Sequence, residues 1–171
     1  MAWRGLDEWR AEACRIELDE SGLRAVGVQL APSYRLDYEL ATDPGLLTER
    51  LDLRVRQADG ERRLDLRRRP DGSWTAGGRF QDHVHGALDC DLAFSPLTNF
   101  MPAARLDGAP ADHLMAWVSV PGLDVLRSEQ RYEPVGPGRV RYVGLDHDFT
   151  AVLELDEDGL VVRYPGLAER V

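Results

Sequence analysis

Apolar and charged side chains alternate one by one in several segments of this 171-residue chain. A repeat of two residues places the apolar side chains on one face of a β-strand and the charged ones on the other, so that one face packs on a core and the other meets water. The alternating segments are residues 34–40, 51–55, 64–66, 88–94, 149–155 and 160–164. The pattern predicts an all-β protein with many short strands and little helix.

Turn-forming pairs separate the alternating segments at short intervals, which favours antiparallel pairing of neighbouring strands. These turn signals are Asp-Gly at 59–60, 71–72 and 158–159, Gly-Pro-Gly at 136–138 and Pro-Gly at 165–166. Residues 2–12 are the one stretch that could form a short helix. Residues 109–111 are expected to form a loop.

Size and charge restrict the classes of partner and compartment. The chain is long enough to bury the core of one domain, so we predict a single domain over residues 1–171. A formal net charge of −9 argues against nucleic acid and anionic membranes as partners, because both attract basic surfaces. No segment is long and apolar enough to insert into a membrane, and no secretory signal is visible.

Cys14 and Cys90 are expected to be buried free thiols, so we predict a cytoplasmic protein. The sequence leaves the oligomeric state open.

Residues 94–106 are nearly uncharged in a chain that is otherwise densely charged. The apolar side chains Leu97, Phe100 and Met101 must be buried against the core or a ligand, and Thr98 with Asn99 can satisfy hydrogen bonds of the backbone or of a ligand. In residues 113–120 the odd-numbered and the even-numbered positions are both mainly apolar, which predicts a strand that is buried on both faces.

Among all segments of the chain, residues 82–91 most resemble a metal-binding or catalytic motif, because they combine histidines with acidic residues. His83 and His85 with Asp89 and Asp91 resemble a ligand set, but the spacing fixes no third ligand, and paired surface histidines beside acids are common. Asp89 and Asp91 share one face of a strand, where they could act as an acid–base pair or form a solvated or Arg-paired face. Cys90 lies on the same face of this strand as the apolar residues and is expected in the core. We predict no metal and no cofactor.

Gln130 and Tyr132 point to one side of a predicted strand, and Arg131 points to the other. Whichever side is inward carries groups that can orient a polar head group. The alternative is a Tyr132 hydroxyl bonded to the backbone with Arg131 on the surface.

Several short motifs in this order and spacing resemble the bacterial putative glycolipid-binding family, formerly a domain of unknown function. The motifs are residues 88–92, residues 95–99, Pro102, Arg105-Leu106, residues 130–132, residues 158–167 and Arg170-Val171. The resemblance covers almost the whole chain and implies a spiral β-roll, a strongly curved antiparallel sheet that is wrapped on itself. The family often has Gly-Cys before its Asp-x-Asp motif, whereas this chain has Gly86-Ala87 there and carries its thiol at Cys90.

The resemblance implies a protein that binds a glycolipid or another apolar small molecule on the concave face of the sheet, without catalysis. We expect a hollow beneath the Pro-flanked segment. The residues expected to contact the ligand are Thr98, Asn99, Phe100, Met101, Met115, Trp117, Gln130, Arg131 and Tyr132. Two alternatives are an enzyme acting on a small or lipid-like molecule through Asp89, Asp91 or Arg131, and a non-catalytic protein-interaction domain.

Overall fold

The alternating segments form strands of one curved sheet in a computed structural model, which describes residues 1–171. The strands are β1 (Ala2–Gly5), β2 (Ala11–Asp19), β3 (Gly22–Ala31), β4 (Tyr34–Thr42), β5 (Thr48–Gln57), β6 (Gly60–Arg68), β7 (Trp74–Ala76), β8 (Arg79–Phe80), β9 (Asp89–Leu92), β10 (Ala111–Val118), β11 (Val125–Gly136), β12 (Arg139–Gly144), β13 (Thr150–Leu155), β14 (Val161–Tyr164) and β15 (Ala168–Arg170). The helix α1 (Phe100–Ala104) follows a 3₁₀ turn at Pro96–Asn99, and a second 3₁₀ turn lies at Asp82–Val84. The all-β class is confirmed.

Strand order shows how the two halves of the chain meet. Strands β8 to β1 follow one another in reverse, β1 then pairs with β15, and the order continues down to β9 at the other edge. Every neighbouring pair is antiparallel except β9 and β10, which are parallel. Each predicted turn signal lies at the junction of two antiparallel strands, and residues 109 and 110 form a loop before β10.

The sheet rolls on itself, so that its β9 edge packs against the apolar face of the N-terminal strands. Cys90 and Leu92 belong to the same core cluster as Leu36 and Leu51. At the start of β5, the backbone N–H of Thr48 donates to the carbonyl of residue 88 at 3.1 Å. This arrangement is the spiral β-roll that the resemblance implied.

Burial of β9 and β10 on both faces follows from the roll. All four residues of β9 are buried, and the consecutive residues Met115 and Ala116 of β10 are fully buried. The prediction of two-sided burial for residues 113–120 is therefore confirmed at its centre.

The prediction of a short helix at residues 2–12 was wrong. Strand β1 lies between β2 and β15, with Trp3 opposite both Glu12 and Arg170. The Trp3 indole is buried, and its N–H donates to the carbonyl of Val161 at 2.7 Å. Pairing on both edges and burial of this large ring outweigh the weak local helical tendency.

The Pro-flanked segment packs into the core. Leu97 and Met101 are almost completely buried, and both belong to the larger core cluster together with Phe100. Hollows remain beside the segment, because Phe94, Ser95 and Asn99 line one of about 290 Å³ and Phe100 lines another of about 390 Å³.

Arg105, just after α1, fixes the end of this segment to β9 and to the loop before β5. One guanidinium nitrogen donates to Asp89 at 2.9 Å and to the carbonyl of Leu46 at 2.7 Å, and the other nitrogen also bonds the Asp89 carboxylate. The Asp89 side chain is fully buried, so this is a desolvated ion pair.

Gly27 should be intolerant of any side chain, because a Cβ there would lie 2.4 Å from Cζ of Tyr38 and 2.7 Å from Cβ of Cys14. We expect Gly27→Ala to lower the free energy of unfolding by about 1–3 kcal/mol through overpacking. Urea denaturation measures the change. Gly45→Ala, in a loop with its nearest atom at 3.3 Å, is the matched control and should change it far less. Equal losses would contradict the close packing of β2, β3 and β4.

Asp89→Asn should lower the free energy of unfolding by about 3–5 kcal/mol, because it leaves the Arg105 charge without its buried partner. Asp112→Asn removes an equivalent but exposed ion pair with Arg131, and we expect a loss below about 1 kcal/mol. Urea denaturation of both variants provides the test. A loss for Asp89→Asn no larger than that of its control would show that the pair does not anchor the segment.

Candidate functional site

Several hollows open on the surface of the roll, and three of them differ clearly in the chemistry of their lining. The largest, about 600 Å³, lies on the charged face of β4 to β6, where the ions already pair with one another, as Arg56 does with Asp37 at 2.6 Å. A second, about 390 Å³, is lined by apolar side chains and by the exposed Asp158. The third, about 290 Å³, combines aromatic walls with buried polar groups. Ligand sites typically have that combination, so the third hollow is the candidate site.

We call this third hollow the aromatic cleft. It lies between the C-terminal strands and the loop that follows β9. Its lining residues are Asp91, Leu92, Ala93, Phe94, Ser95, Asn99, Trp117, Tyr142, His147, Phe149, Tyr164 and Leu167. An adjoining hollow of about 360 Å³ shares Trp117, Tyr142 and His147 with the cleft and extends it toward β11.

A network of buried hydrogen bonds is centred on the Asp91 carboxylate. Thr98 Oγ1 donates to Asp91 Oδ1 at 2.9 Å, and Gln130 Nε2 donates to Oδ2 at 2.7 Å. The Tyr132 hydroxyl donates to Gln130 Oε1 at 2.9 Å and accepts from Asn99 Nδ2 at 2.8 Å. Each member is bonded to the next, so the carboxylate is held in one orientation.

Aromatic rings form the wall of the cleft. The centroids of Tyr142, Phe149 and Tyr164 lie 5.9–6.1 Å from one another, and Tyr142 also packs edge-on against Tyr132 at 5.6 Å. Trp117 is half-buried and lies opposite Asp91 in the β9–β10 register. Such rings offer flat apolar surface with polar tips.

Burial controls the protonation of the groups in the cleft. Burial raises the pKa of Asp91 to about 6, although its hydrogen bonds with Gln130 and Thr98 act in the opposite direction. Burial also raises the pKa values of the Tyr132 and Tyr142 hydroxyls above the ordinary value of a phenol. At neutral pH the cleft therefore holds an ionised Asp91 among neutral phenols.

A second buried carboxylate, Glu12, supports the loop that borders the cleft. Its Oε1 accepts from Tyr38 at 2.5 Å and from Ser95 Oγ at 2.7 Å, while Gln29 Nε2 donates to the carbonyl of Ala93 at 3.1 Å. Glu12 Oε2 and Gln29 Oε1 are buried without a donor. Burial raises the pKa of Glu12 to about 7, and protonation would turn its unpartnered oxygen into a donor.

The structure brings together five of the nine residues that the sequence predicted to contact a ligand. Thr98, Asn99, Gln130 and Tyr132 form the network around Asp91, and Trp117 lies on the cleft wall.

The other four predicted contact residues lie elsewhere. Met101 packs in the core, where its Sδ is 3.9 Å from Thr48 Oγ1, and Phe100 packs in the core and also lines the apolar hollow of about 390 Å³. Met115 is fully buried in β10. Arg131 is on the opposite face of β11, as the alternation predicts, and its guanidinium donates to Asp112 at 2.9 Å.

Sequence reasoning missed the wall residues Tyr142, Phe149 and Tyr164 and the place of Asp91 in the cleft lining. A signal for Tyr142 was present, because a hairpin centred on Pro137 places it opposite Tyr132, as the register confirms. No comparable signal gives the parallel register between Asp91 and Trp117.

The histidines of residues 82–85 do not join the Asp89–Asp91 acids. His83 Nε2 lies 2.8 Å from the carbonyl of Val125, and Asp89 is bonded to Arg105. The structure contains no group of three or more His, Cys, Asp or Glu side chains arranged to hold a metal ion. None of its helices is long and apolar enough to cross a lipid bilayer.

Fold and cleft define an all-β protein built on one rolled sheet, with a hollow walled by aromatic rings. The family model described as "Putative glycolipid-binding" matches residues 1–170, and the chain belongs to that family. The crystal structure of a DUF1089 family protein from Pseudomonas aeruginosa is similar, with 32% identity and a TM-score of 0.86 over 99% of this chain and 95% of that chain. No curated protein matches the sequence.

Glu12 should make the stability of the protein depend on pH. Its pKa is about 7 in the folded protein against an ordinary 4.5, so its stabilising effect is complete below pH 4.5 and is lost as the pH rises through about 7. Between pH 4.5 and 8, we expect the free energy of unfolding of the wild type to fall by about 3 kcal/mol more than that of Glu12→Gln.

Urea denaturation across this pH range measures the difference. Glu17→Gln, which changes an exposed carboxylate on the same strand, is the matched control and should keep the wild-type profile. Parallel profiles for wild type and Glu12→Gln would contradict the assignment.

Proposed function

We propose that the protein binds a glycolipid, or a similar small molecule with polar and apolar parts, and that the aromatic cleft holds its head group. The observation that carries the proposal is the meeting of a fixed buried carboxylate with a wall of aromatic rings in one hollow. A volume of about 290 Å³ is at the lower end of the range for ligand pockets and suits one sugar ring or head group.

The aromatic rings and the polar groups of the lining can contact different parts of a sugar. The carbon-bound faces of a sugar ring are apolar and can pack on Tyr142, Phe149, Tyr164 and Trp117, which removes aromatic surface from water. Sugar hydroxyls can donate to Asp91, which has further lone pairs available. They can also bond the carbonyl oxygen of Asn99, since that side chain uses its Nδ2 for Tyr132.

Binding without catalysis is the form of the proposal that the cleft supports best. Glycoside hydrolysis ordinarily uses two carboxyl groups, one on each side of the bond that breaks. Asp91 is the one acidic residue that lines the cleft, Asp89 is bonded to Arg105, and Arg131 is on the opposite face. The three residues considered for an enzyme therefore do not converge.

The location proposed from the sequence remains cytoplasmic. Both cysteines are buried and unpaired, as expected in a reducing compartment.

Protein purified from its own host should carry a lipid-sized mass in native mass spectrometry. Trp117→Asp should abolish it, because it removes a large ring from the cleft wall and puts a hydrated charged group where the apolar part of the ligand would pack. Trp9→Asp, which changes an exposed Trp in the turn between β1 and β2, is the matched control and should retain the mass. Bare protein under mild conditions would contradict the proposal, as would a mass that Trp117→Asp keeps.

A further inference from the structure

Two buried aspartates on strand β9 have unequal partners. Asp89 is bonded through both carboxylate oxygens to the Arg105 guanidinium. Asp91, two residues later on the same face, receives hydrogen bonds only from the neutral side chains of Thr98 and Gln130. Buried carboxylates are ordinarily paired with a cation, so Asp91 lacks the partner that Asp89 has.

No side chain near the cleft supplies that partner. The cleft lining contains no Arg, and the chain contains no Lys. Arg127, in the adjoining hollow, is bonded to Glu129 at 2.6 Å. His147 is the one basic residue on the wall, and its charge acts to lower the pKa of Asp91, but its Nδ1 lies 2.5 Å from Asp146 and it makes no hydrogen bond to Asp91. The position of a directly bonded cation beside Asp91 is therefore open to a ligand.

The walls of the cleft also favour a cation. Aromatic faces carry negative electrostatic potential and attract ammonium groups, with the largest effect where water is excluded. Trp117, Tyr142, Phe149 and Tyr164 all border the space above Asp91. The net charge of −9 draws cationic ligands toward the protein as a whole. A metal ion fits less well, because Asp91 is the only carboxylate in the cleft lining.

We infer that the head group held in the aromatic cleft carries a protonated amine, as an amino sugar does, and that its ammonium group bonds the Asp91 carboxylate. This inference rests on the proposed function and adds the charge of the ligand. A neutral sugar would leave Asp91 without a cation, and a phosphate would bring two anions together in a desolvated site.

Protonation of Asp91 gives the preference a pH dependence. The titratable groups that face Asp91 are Asp89 on its own strand, Tyr132 on β11, Tyr142 on β12, Tyr164 on β14 and His147 in the loop before β13. Burial raises the pKa of all three tyrosines, so these remain neutral below pH 8. The pKa of Asp91 is raised to about 6, so lowering the pH from 7 to 5 should remove the anion and weaken amine binding.

The test compares octyl 2-amino-2-deoxyglucoside and octyl 6-amino-6-deoxyglucoside with neutral octyl glucoside. Titration calorimetry at pH 7, below the concentrations at which micelles form, measures the three affinities. We expect at least one amino glycoside to bind at least tenfold more tightly than the neutral one. That advantage should shrink severalfold at pH 5 and should persist in the presence of a chelator.

Variants assign the preference to one carboxylate. Asp91→Asn keeps the shape of the side chain and should bring the amino and neutral glycosides within about twofold of each other. Asp112→Asn, which removes one negative charge on the exposed side of β10, should keep the full preference. Urea denaturation of both variants checks that they are folded.

The possible results distinguish a failure of amine recognition from a failure of the proposed glycolipid binding. Equal or tighter binding of neutral octyl glucoside would overturn the inference and leave the proposed function standing, as would a preference that Asp91→Asn retains or a chelator abolishes. Failure of all three glycosides to bind would count against both.

Discussion

Burial of strand β9 on both faces is the constraint on which the rest of this structure depends. Because the roll places β9 inside, its alternating side chains face two different environments. Cys90 and Leu92 join the apolar core of the N-terminal strands, while Asp89 and Asp91 point the other way and are buried as well. In a sheet with one solvated face the same two acids would meet water at little cost. Here each of them needs a partner within the protein or the ligand.

The three buried carboxylates of the chain meet this requirement in three ways. Asp89 has a guanidinium partner, Arg105. Glu12 has only neutral partners, and burial raises its pKa to about 7, so that near neutral pH it can remain protonated. Asp91 is held by two neutral donors at the edge of an open cleft, and its pKa is raised only to about 6. The cost of desolvation is thus offset by a cation at Asp89, although burial still raises the pKa of that carboxyl, by a proton at Glu12, and by two neutral donors alone at Asp91. An incompletely satisfied anion beside aromatic rings is the feature that distinguishes the cleft chemically from the core.

Features that depend on local pattern could be predicted from the sequence, and features that depend on distant pairing could not. Alternation and Asp-Gly turns identify most strands, because both are properties of neighbouring residues. The network residues were found for the same reason, since they belong to two short motifs. The helix predicted at residues 2–12 failed because β15, which pairs with β1, is at the other end of the chain. The position of Asp91 beside Trp117 depends on a parallel register reached through a long connection that includes α1, which no local signal fixes. Tyr142 is intermediate, because its turn alone places it opposite Tyr132.

The loop that borders the cleft is held by the opposite half of the sheet, which links the cleft to closure of the roll. Ala93 accepts a hydrogen bond from Gln29, and Ser95 donates to Glu12, while both loop residues also line the cleft. The aromatic wall belongs to strands β10 and β12 to β14 and their connections, while the loop that follows β9 is fixed from across the roll by β2 and β3. The cleft is therefore complete only when the β9 edge is packed inside the N-terminal strands. A ligand that touches both sides binds the closed roll and not the open one, so it must stabilise the fold by an amount that increases with its concentration relative to its dissociation constant.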